Sequence, residues 1–223
     1  MKVKLFASAI LLLSNLAFSG GLDLAEQGTP ASVASAGNSN LTNTRDATIS
    51  MTNPAGMSFT EGDLLTLGIQ LLQLDATFEN HGSSNSGGDG GQLGGLSVIP
   101  GAFYVHQLNE KWHLGIGMNS HTGLGMDYDD EWVGRYHIQN VLLGTVQLTP
   151  SISYKVNDKL SIGAGLVIDY ATFEARVALN KPGNLPDGRV DLEEDSLAFG
   201  FNLGLMYEIS AKTRIGLTYQ SEL

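Results

Sequence analysis

Histidines and one run of carboxylates are the side chains with the clearest potential for metal chemistry. The five histidines are His81, His106, His113, His121 and His137. None of their spacings matches a zinc site, and cysteine is absent, so we expect no transition-metal site. Asp127, Asp129 and Glu131 could hold Ca²⁺, but the glycine and the distal glutamate of an EF-hand loop are missing. We interpret this acidic run as a solvated loop.

The sequence also lacks the patterns that support covalent catalysis or nucleotide binding. No serine stands in a Gly-x-Ser-x-Gly elbow. The Gly-x-Gly pairs at 115–117 and 163–165 lie inside expected strands and do not open a helix, so they are not phosphate-binding loops. We predict a protein that is not an enzyme and that uses no cofactor.

Residues 1–19 have the order of a secretory signal peptide: a basic start, an apolar run, and small residues before a cleavage site after Ser19. An uncleaved anchor is the alternative, but the apolar run is shorter than the roughly 20 residues that a spanning helix needs. Lys2 and Lys4 lie in the signal, so the mature chain keeps 10 of 12 basic residues against 23 acidic ones, a net charge of −13. That balance argues against nucleic-acid partners.

Apolar side chains alternate with glycine or polar ones along much of the chain, as in 112–119, 160–171, 199–208 and 214–220. This period of two predicts β-strands with one apolar face. A soluble sandwich alternates as well. Here, however, the second face is mostly Gly, Ser, Thr, Asn and Gln, and tyrosines fall near the ends of the apolar stripes. Both features favour a membrane β-barrel with a crowded polar interior.

Short turns alternate with long connections, an asymmetry that outer-membrane barrels show between their periplasmic and extracellular sides. Short turns are expected at 109–110, 157–158 and 210–211. Long connections are expected at 80–96, 120–143 and about 179–196. About seven strands are predicted, at 63–78, 97–108, 111–119, 144–156, 159–177, 197–209 and from 213 onward. An odd number leaves open edges in lipid, so we expect residues 63–223 to be the N-terminal half of a truncated barrel, unless the chain closes by oligomerising.

Residues 20–62 precede the first predicted strand, and their small, polar first part has no clear strand or helix period. The segment continues through an Asn-Pro-Ala-Gly-Met sequence at 53–57. Pro54 fixes its φ at roughly −65°, and Asn53 is expected to cap the amides that follow. Two interpretations fit this composition: an ordinary turn into the first strand, or a plug folded into the barrel.

Several stretches, taken in order, resemble the FadL/TodX family of outer-membrane transporters for long-chain fatty acids and other hydrophobic compounds. They are NPAGM at 53–57, PGAFY at 100–104, NEKW at 109–112 with GIG at 115–117, WVGRY at 132–136, PSISYKVNDKLSIG at 150–163, GFNLG at 200–204 and RIGLTY at 214–219. The resemblance implies a transmembrane antiparallel barrel of fourteen strands, plugged by an N-terminal hatch at 20–62. It also implies a hydrophobic pocket and passage by diffusion.

The same resemblance implies candidate site residues. The hatch or gating residues would be Asn53, Pro54, Ala55 and Gly56. The family places a basic residue shortly after the Tyr-Ala of the fifth strand, where this chain has Thr172. Arg176 is a displaced substitute, and Arg135 and Arg214 are further cations near the interior or the loop bases. Arg135 and Arg176 are the ligand carboxylate candidates, although for each arginine taken singly a solvated charge is the favoured interpretation.

The expected location is therefore the outer membrane of a Gram-negative cell, in contact with lipid and lipopolysaccharide. The expected ligands are hydrophobic small molecules such as long-chain fatty acids, and a full-length chain is expected to be monomeric. The alternative from another functional class is a non-transporting barrel that serves as an adhesin or a structural protein.

Overall fold

The computed structural model describes residues 22–23, 28–82, 87–183, 185–210 and 213–223. The signal peptide expected at 1–19 lies outside the described residues. Within residues 28–62, the chain forms three short helices: α1 (Pro30–Ala34), α2 (Ile49–Thr52) and a 3₁₀ helix (Pro54–Phe59). Among the described helices, none is long and apolar enough to cross a membrane.

Antiparallel strands make up most of the remaining chain. They are β1 (Leu22–Asp23), β2 (Leu64–Thr77), β3 (Gln92–Gln107), β4 (Trp112–Asn119), β5 (Thr122–Asp127), β6 (Asn140–Lys155), β7 (Leu160–Leu179), β8 (Gly188–Ser210) and β9 (Thr213–Gln220). Seven of them form a half-barrel in the order β2-β3-β4-β6-β7-β8-β9. Strand β5 pairs with β6 and with the short β1 at the side of this path. The predicted all-β half-barrel is therefore confirmed.

The two faces of the sheet differ in the way that the alternating sequence predicts. We call the face that the N-terminal residues cover the inner face, and the opposite one the outer face. On β2, the outer side chains Leu65, Leu67 and Ile69 are 68%, 68% and 69% exposed. On the inner face, buried polar side chains such as Ser153 and Ser161 predominate. Apolar groups left this accessible on a regular surface need lipid or a partner to cover them.

The short turns rest on one recurring interaction. The Asn109 Oδ1 atom accepts hydrogen bonds from the amides of Lys111 and Trp112, at 2.9 and 3.0 Å. Asn157 repeats this arrangement with Lys159 and Leu160, both at 2.9 Å. An Asn side chain that binds the amides two and three residues ahead stabilises a tight reversal. These two predicted turns are confirmed, whereas the third lies partly outside the described residues.

The predicted long connections were too long. The one at 120–143 contains β5, and those at 80–96 and 179–196 are shortened because β3 begins at Gln92 and β8 at Gly188. The acidic stretch of β8 was taken for a loop, yet Asp191 lies opposite Arg176 in the β7–β8 ladder. A strand that continues beyond the apolar belt can carry charge on both faces, so the period-two pattern no longer marks it.

The long loops are joined by an aromatic cluster around Trp132. The indole is 6% exposed and stacks on Tyr128, with ring centroids 3.7 Å apart. Phe78 meets it edge-on at 5.5 Å. The indole Nε1 donates a hydrogen bond of 2.8 Å to the Ile138 carbonyl oxygen. Because Phe78 and Trp132 belong to different connections, the cluster ties two loops together at this end of the sheet.

We expect Trp132→Ala to loosen these loops. Two aromatic pairs at about 0.5–1.5 kcal/mol each, with a hydrogen bond worth about 1 kcal/mol, are lost together. Cleavage by proteinase K within residues 128–139 should therefore accelerate at least about tenfold, because cleavage follows the population of the open form. Trp112→Ala, which removes the other tryptophan, is the control and should leave this rate unchanged. Equal rates in both variants would show that the cluster does not hold the loops.

Candidate functional site

The residues just before the first long strand fold into consecutive turns. We call residues 28–62 the N-terminal segment. Pro54 starts the 3₁₀ helix, and Asn53 before it is extended, with φ −154° and ψ 91°. The expectation that Asn53 caps the following amides is wrong, because its side chain makes no cap hydrogen bond. Instead, its buried Nδ2 donates to the carbonyl oxygens of Leu41 and Leu205, at 2.9 and 3.4 Å.

The N-terminal segment and the inner face share one apolar core. Its members are Ala47, Ile49, Met51, Ala55 and Met57 from the segment, with Phe103, Val105 and Met206 from the strands. All are at most 6% exposed. Burying a side chain of the Ile or Met type contributes about 1.5–3 kcal/mol. The segment is thus packed onto the wall, and half of the buried hydrophobic residues in the described part of the chain lie between the two.

Two glycines of the wall let the segment approach closely. Gly163 of β7 and Gly204 of β8 are paired across the ladder. A Cβ at Gly163 would lie 2.5 Å from the Pro54 carbonyl carbon. One at Gly204 would lie 3.0 Å from the Ala55 nitrogen and closer still to Asn53 Oδ1. The Asn-Pro-Ala turn therefore occupies space that any larger side chain at these positions would fill.

Side chains of the wall bind backbone groups of the segment. Ser161 Oγ donates to the Ala55 carbonyl oxygen at 2.6 Å, and Asn202 Nδ2 donates to that of Met51 at 2.8 Å. Ser58 Oγ donates to Ser153 Oγ at 3.0 Å. Buried carbonyl groups need such partners. The polar inner face thus serves as the hydrogen-bonding complement of a segment that has little regular structure of its own.

Arg214 links the segment to the last two strands. Its Nε donates to Glu208 Oε2 at 2.8 Å, and its Nη1 donates to Thr44 Oγ1 at 2.7 Å. The guanidinium also lies 5.6 Å from the ring centroid of Phe59. Arg214 is therefore engaged with the segment and with β8.

The two predicted carboxylate-binding arginines lie at the opposite, long-loop end. Arg135 Nε donates to Asp187 Oδ2 at 2.9 Å, at a polar cavity of about 760 Å³. Arg176 Nε donates to Asp191 Oδ1 at 2.9 Å. Each guanidinium thus already has a carboxylate partner. The structure brings these two arginines together at one end, whereas Asn53 to Gly56 contact strands near the short turns.

The Arg135–Asp187 contact affects the acidity of both groups. The hydrogen bond from Arg135, followed by one from Tyr136, holds the pKa of Asp187 below its usual value. The same contact raises the pKa of Arg135. Both pKa shifts favour the charged forms of Asp187 and Arg135. Among the described residues, no three His, Cys, Asp or Glu side chains are grouped so that they could hold a metal ion.

Sequence reasoning located the Asn-Pro-Ala turn but missed its partners. Ser161, Gly163, Asn202 and Gly204 were assigned only to a small, polar face. Alternation does show which way these side chains point. It gives no information about which segment of chain lies against them, so their contacts with the turn could not be inferred.

A half-barrel with an accessible apolar outer face and a packed segment on its small-residue inner face defines an outer-membrane β-barrel protein. The family described as outer membrane protein transport protein (OMPP1/FadL/TodX) matches residues 10–223. The chain belongs to this family, which confirms the resemblance in the sequence and the outer-membrane location.

Individual relatives agree with this assignment. Outer membrane protein P1 of Haemophilus influenzae is 28% identical, over 98% of this chain and 57% of its own length. The long-chain fatty acid transport protein of Escherichia coli O6:H1 is 24% identical, over 97% of this chain and 53% of its own length. The crystal structure of a Pseudomonas aeruginosa FadL homologue has a TM-score of 0.70 at 23% identity, over 91% and 52% of the two chains. This chain thus spans about half the length of the relatives it matches.

We expect Gly163→Ala and Gly204→Ala to displace the N-terminal segment, because each new Cβ meets the turn at 53–55. Amide hydrogen exchange of residues 49–59 should accelerate at least about tenfold, as expected when a local opening costs about 1.4 kcal/mol less. Gly144→Ala is the matched control, since its Cβ would meet only Thr172 Cγ2 at an ordinary 3.6 Å. Unchanged exchange in both test variants would mean that the segment does not depend on this close approach.

We expect acid to release the Arg135–Asp187 contact only below about pH 4, the usual range of an aspartate. Because the pKa of Asp187 is lowered in the folded protein, the stabilising contribution is complete above the ordinary pKa. It is lost as the pH falls through the lowered value. Arg135 also donates to the Trp132 carbonyl oxygen at 3.1 Å, so tryptophan emission should report the change. Asp187→Asn should remove that acid-dependent step, and an identical titration in this variant would contradict the assignment.

Proposed function

We propose that this chain contributes to a passive route for hydrophobic compounds across the outer membrane. In this proposal residues 20–62 are the hatch, and residues 63–223 are the N-terminal half of the barrel wall. The observation that carries the proposal is the seating of the Asn-Pro-Ala turn on the glycines of β7 and β8. That contact closes the inner face with a segment that is not itself part of the wall.

The way the segment is held suits a gate. Strands β7 and β8 are joined by an unbroken ladder of backbone pairs, and β6 pairs with β7 on both sides of an interruption at Thr149 and Pro150. The 3₁₀ helix, by contrast, meets them through side-chain hydrogen bonds, such as that from Ser161, and through apolar packing. A net contribution of about 1 kcal/mol for each hydrogen bond makes such contacts much easier to exchange than a ladder. Displacement of the segment would therefore leave the wall intact.

Long-chain fatty acids and other hydrophobic compounds are the proposed ligands. The relative from Escherichia coli O6:H1 is described as a long-chain fatty acid transport protein. A barrel provides no energy source, so we propose diffusion down a gradient and no catalytic step. The role of Arg135 and Arg176 as carboxylate ligands stays a prediction. To bind an anionic ligand, each would have to release or share its aspartate.

The alternative of an adhesin or structural barrel is less favoured because the family is described by transport. The two functions make different demands on the segment. A structural barrel needs only a filled interior, whereas a transporter needs a filling that gives way to its ligand. Uptake measurements therefore separate them.

We expect replacement of Asn53 and Pro54 by alanine, in the full-length protein, to slow uptake of labelled oleate about threefold or more. The double variant removes the buried amide bonds to Leu41 and Leu205 and the fixed φ at Pro54, while the strand ladders stay unchanged. Heat-modifiable gel mobility should therefore stay close to that of the parent protein.

Asn38→Ala is the matched control, because Asn38 is an exposed asparagine of the same segment. A third variant that lacks residues 20–50 should insert but admit small hydrophilic antibiotics. Parental uptake by the double variant, with unchanged antibiotic sensitivity in the deletion, would favour the structural alternative.

A further inference from the structure

The outer face has a notch near the short-turn end of the sheet. The notch has a volume of about 480 Å³. It is lined mainly by Trp112, Ile152, Tyr154, Ile162, Ala164 and Leu203. Its volume falls within the range of about 300–1,000 Å³ that is typical of small-molecule pockets. The side chains of this lining are almost entirely apolar, so the notch suits a hydrocarbon chain.

Ala164 is the cause of the notch. The ladder places Ile152, Ala164 and Leu203 side by side on β6, β7 and β8. Ile152 and Leu203 project from the outer face with 40% and 48% of their surface exposed. A methyl group between two branched side chains leaves a depression one strand wide. Backbone atoms of Gly163 and Gly204 also line the notch.

The rim of the notch carries groups typical of a membrane–water interface. Trp112 and Tyr154 pack together with ring centroids 4.7 Å apart, and aromatic residues of this kind mark the headgroup level of barrels. Lys111 directly precedes Trp112 and is exposed. Lys159 directly follows the neighbouring turn and is exposed as well. An apolar notch thus lies below an aromatic rim, with lysines at the adjoining turns.

These lysines are available to an external anion. Lys155 forms an ion pair with Asp158 at 3.0 Å. Among the described residues, neither Lys111 nor Lys159 forms an ion pair. The two turns and their flanks carry two carboxylates, those of Glu110 and Asp158. They also carry three lysines, Lys111, Lys155 and Lys159, so positive charge is in excess there. A lysine side chain can lie along an apolar surface and keep its ammonium group at the headgroup level.

We propose that this notch binds one phospholipid, with an acyl chain beside Ala164 and its phosphate at Lys111 and Lys159. Two observations support a lipid as the occupant. The notch is continuous with the exposed apolar outer face, and the lysines of the adjoining turns supply positive charge for a phosphate. Short turns face the periplasm in bacterial barrels, so the lipid is a phospholipid of the periplasmic leaflet rather than lipopolysaccharide.

The test is native mass spectrometry of the full-length protein with dioleoylphosphatidylglycerol and with dioleoylglycerol, which has the same chains and no phosphate. The parent protein should retain the phospholipid at least about fivefold better. Ala164→Leu fills the notch and should lower retention of both lipids about fivefold. The Lys111→Gln, Lys159→Gln double variant should lower retention of the phospholipid alone.

Two controls make the outcome specific. Ala102→Leu enlarges another outer-face alanine, which the ladders place between Leu67 and Met118. Lys181→Gln removes a lysine at the long-loop end. Neither should change retention, and heat-modifiable mobility should show that every variant folds. Equal retention of the two lipids by the parent protein, or retention that neither test variant lowers, would overturn the proposal and leave only a general lipid belt.

Discussion

In lipid, every backbone N–H and C=O group has to find its partner within the protein, and the rest of this structure depends on that requirement. Hydrocarbon offers no hydrogen bonds, so each unpaired group costs several kcal/mol. Strand β7 meets the requirement on both sides, since it pairs with β6 and over its whole length with β8. Such long ladders fix the register, and the register decides which side chains point outward and which point inward.

The inward face carries glycine, serine and asparagine because a second layer of chain lies on it. In a soluble sheet this layer would be another sheet or a helix, with large side chains in between. Here backbone meets backbone: the Pro54–Ala55 peptide lies where Gly163 and Gly204 have no side chains. Wall and segment therefore share one core. A substitution in a strand can change the position of the segment without altering strand pairing.

Much of the fold could be predicted from the sequence, because alternation and turn chemistry are local properties. Strands β4, β6, β7 and β9 and the turns at Asn109 and Asn157 follow from them. The alternation of apolar and polar side chains failed to predict strand where strands extend beyond the apolar belt, as around Asp191 of β8. The contacts of the candidate site were harder to predict. Asn53 and Leu205 are 152 residues apart in the chain. Local rules assign the Asn53 side chain to a helix cap, but its Nδ2 donates to the distant Leu205 carbonyl oxygen instead.

Three thioethers lie where the segment meets the wall: those of Met51, Met57 and Met206. Methionine is unbranched and rotates easily, so it can fill an irregular space in more than one way. Branched aliphatic side chains in the same places would hold the segment in a single fit, and any shift would leave a void. With methionines, a shift exchanges one set of dispersion contacts for another. The interface between segment and wall is therefore closely packed at rest, and its methionines can repack when the segment shifts.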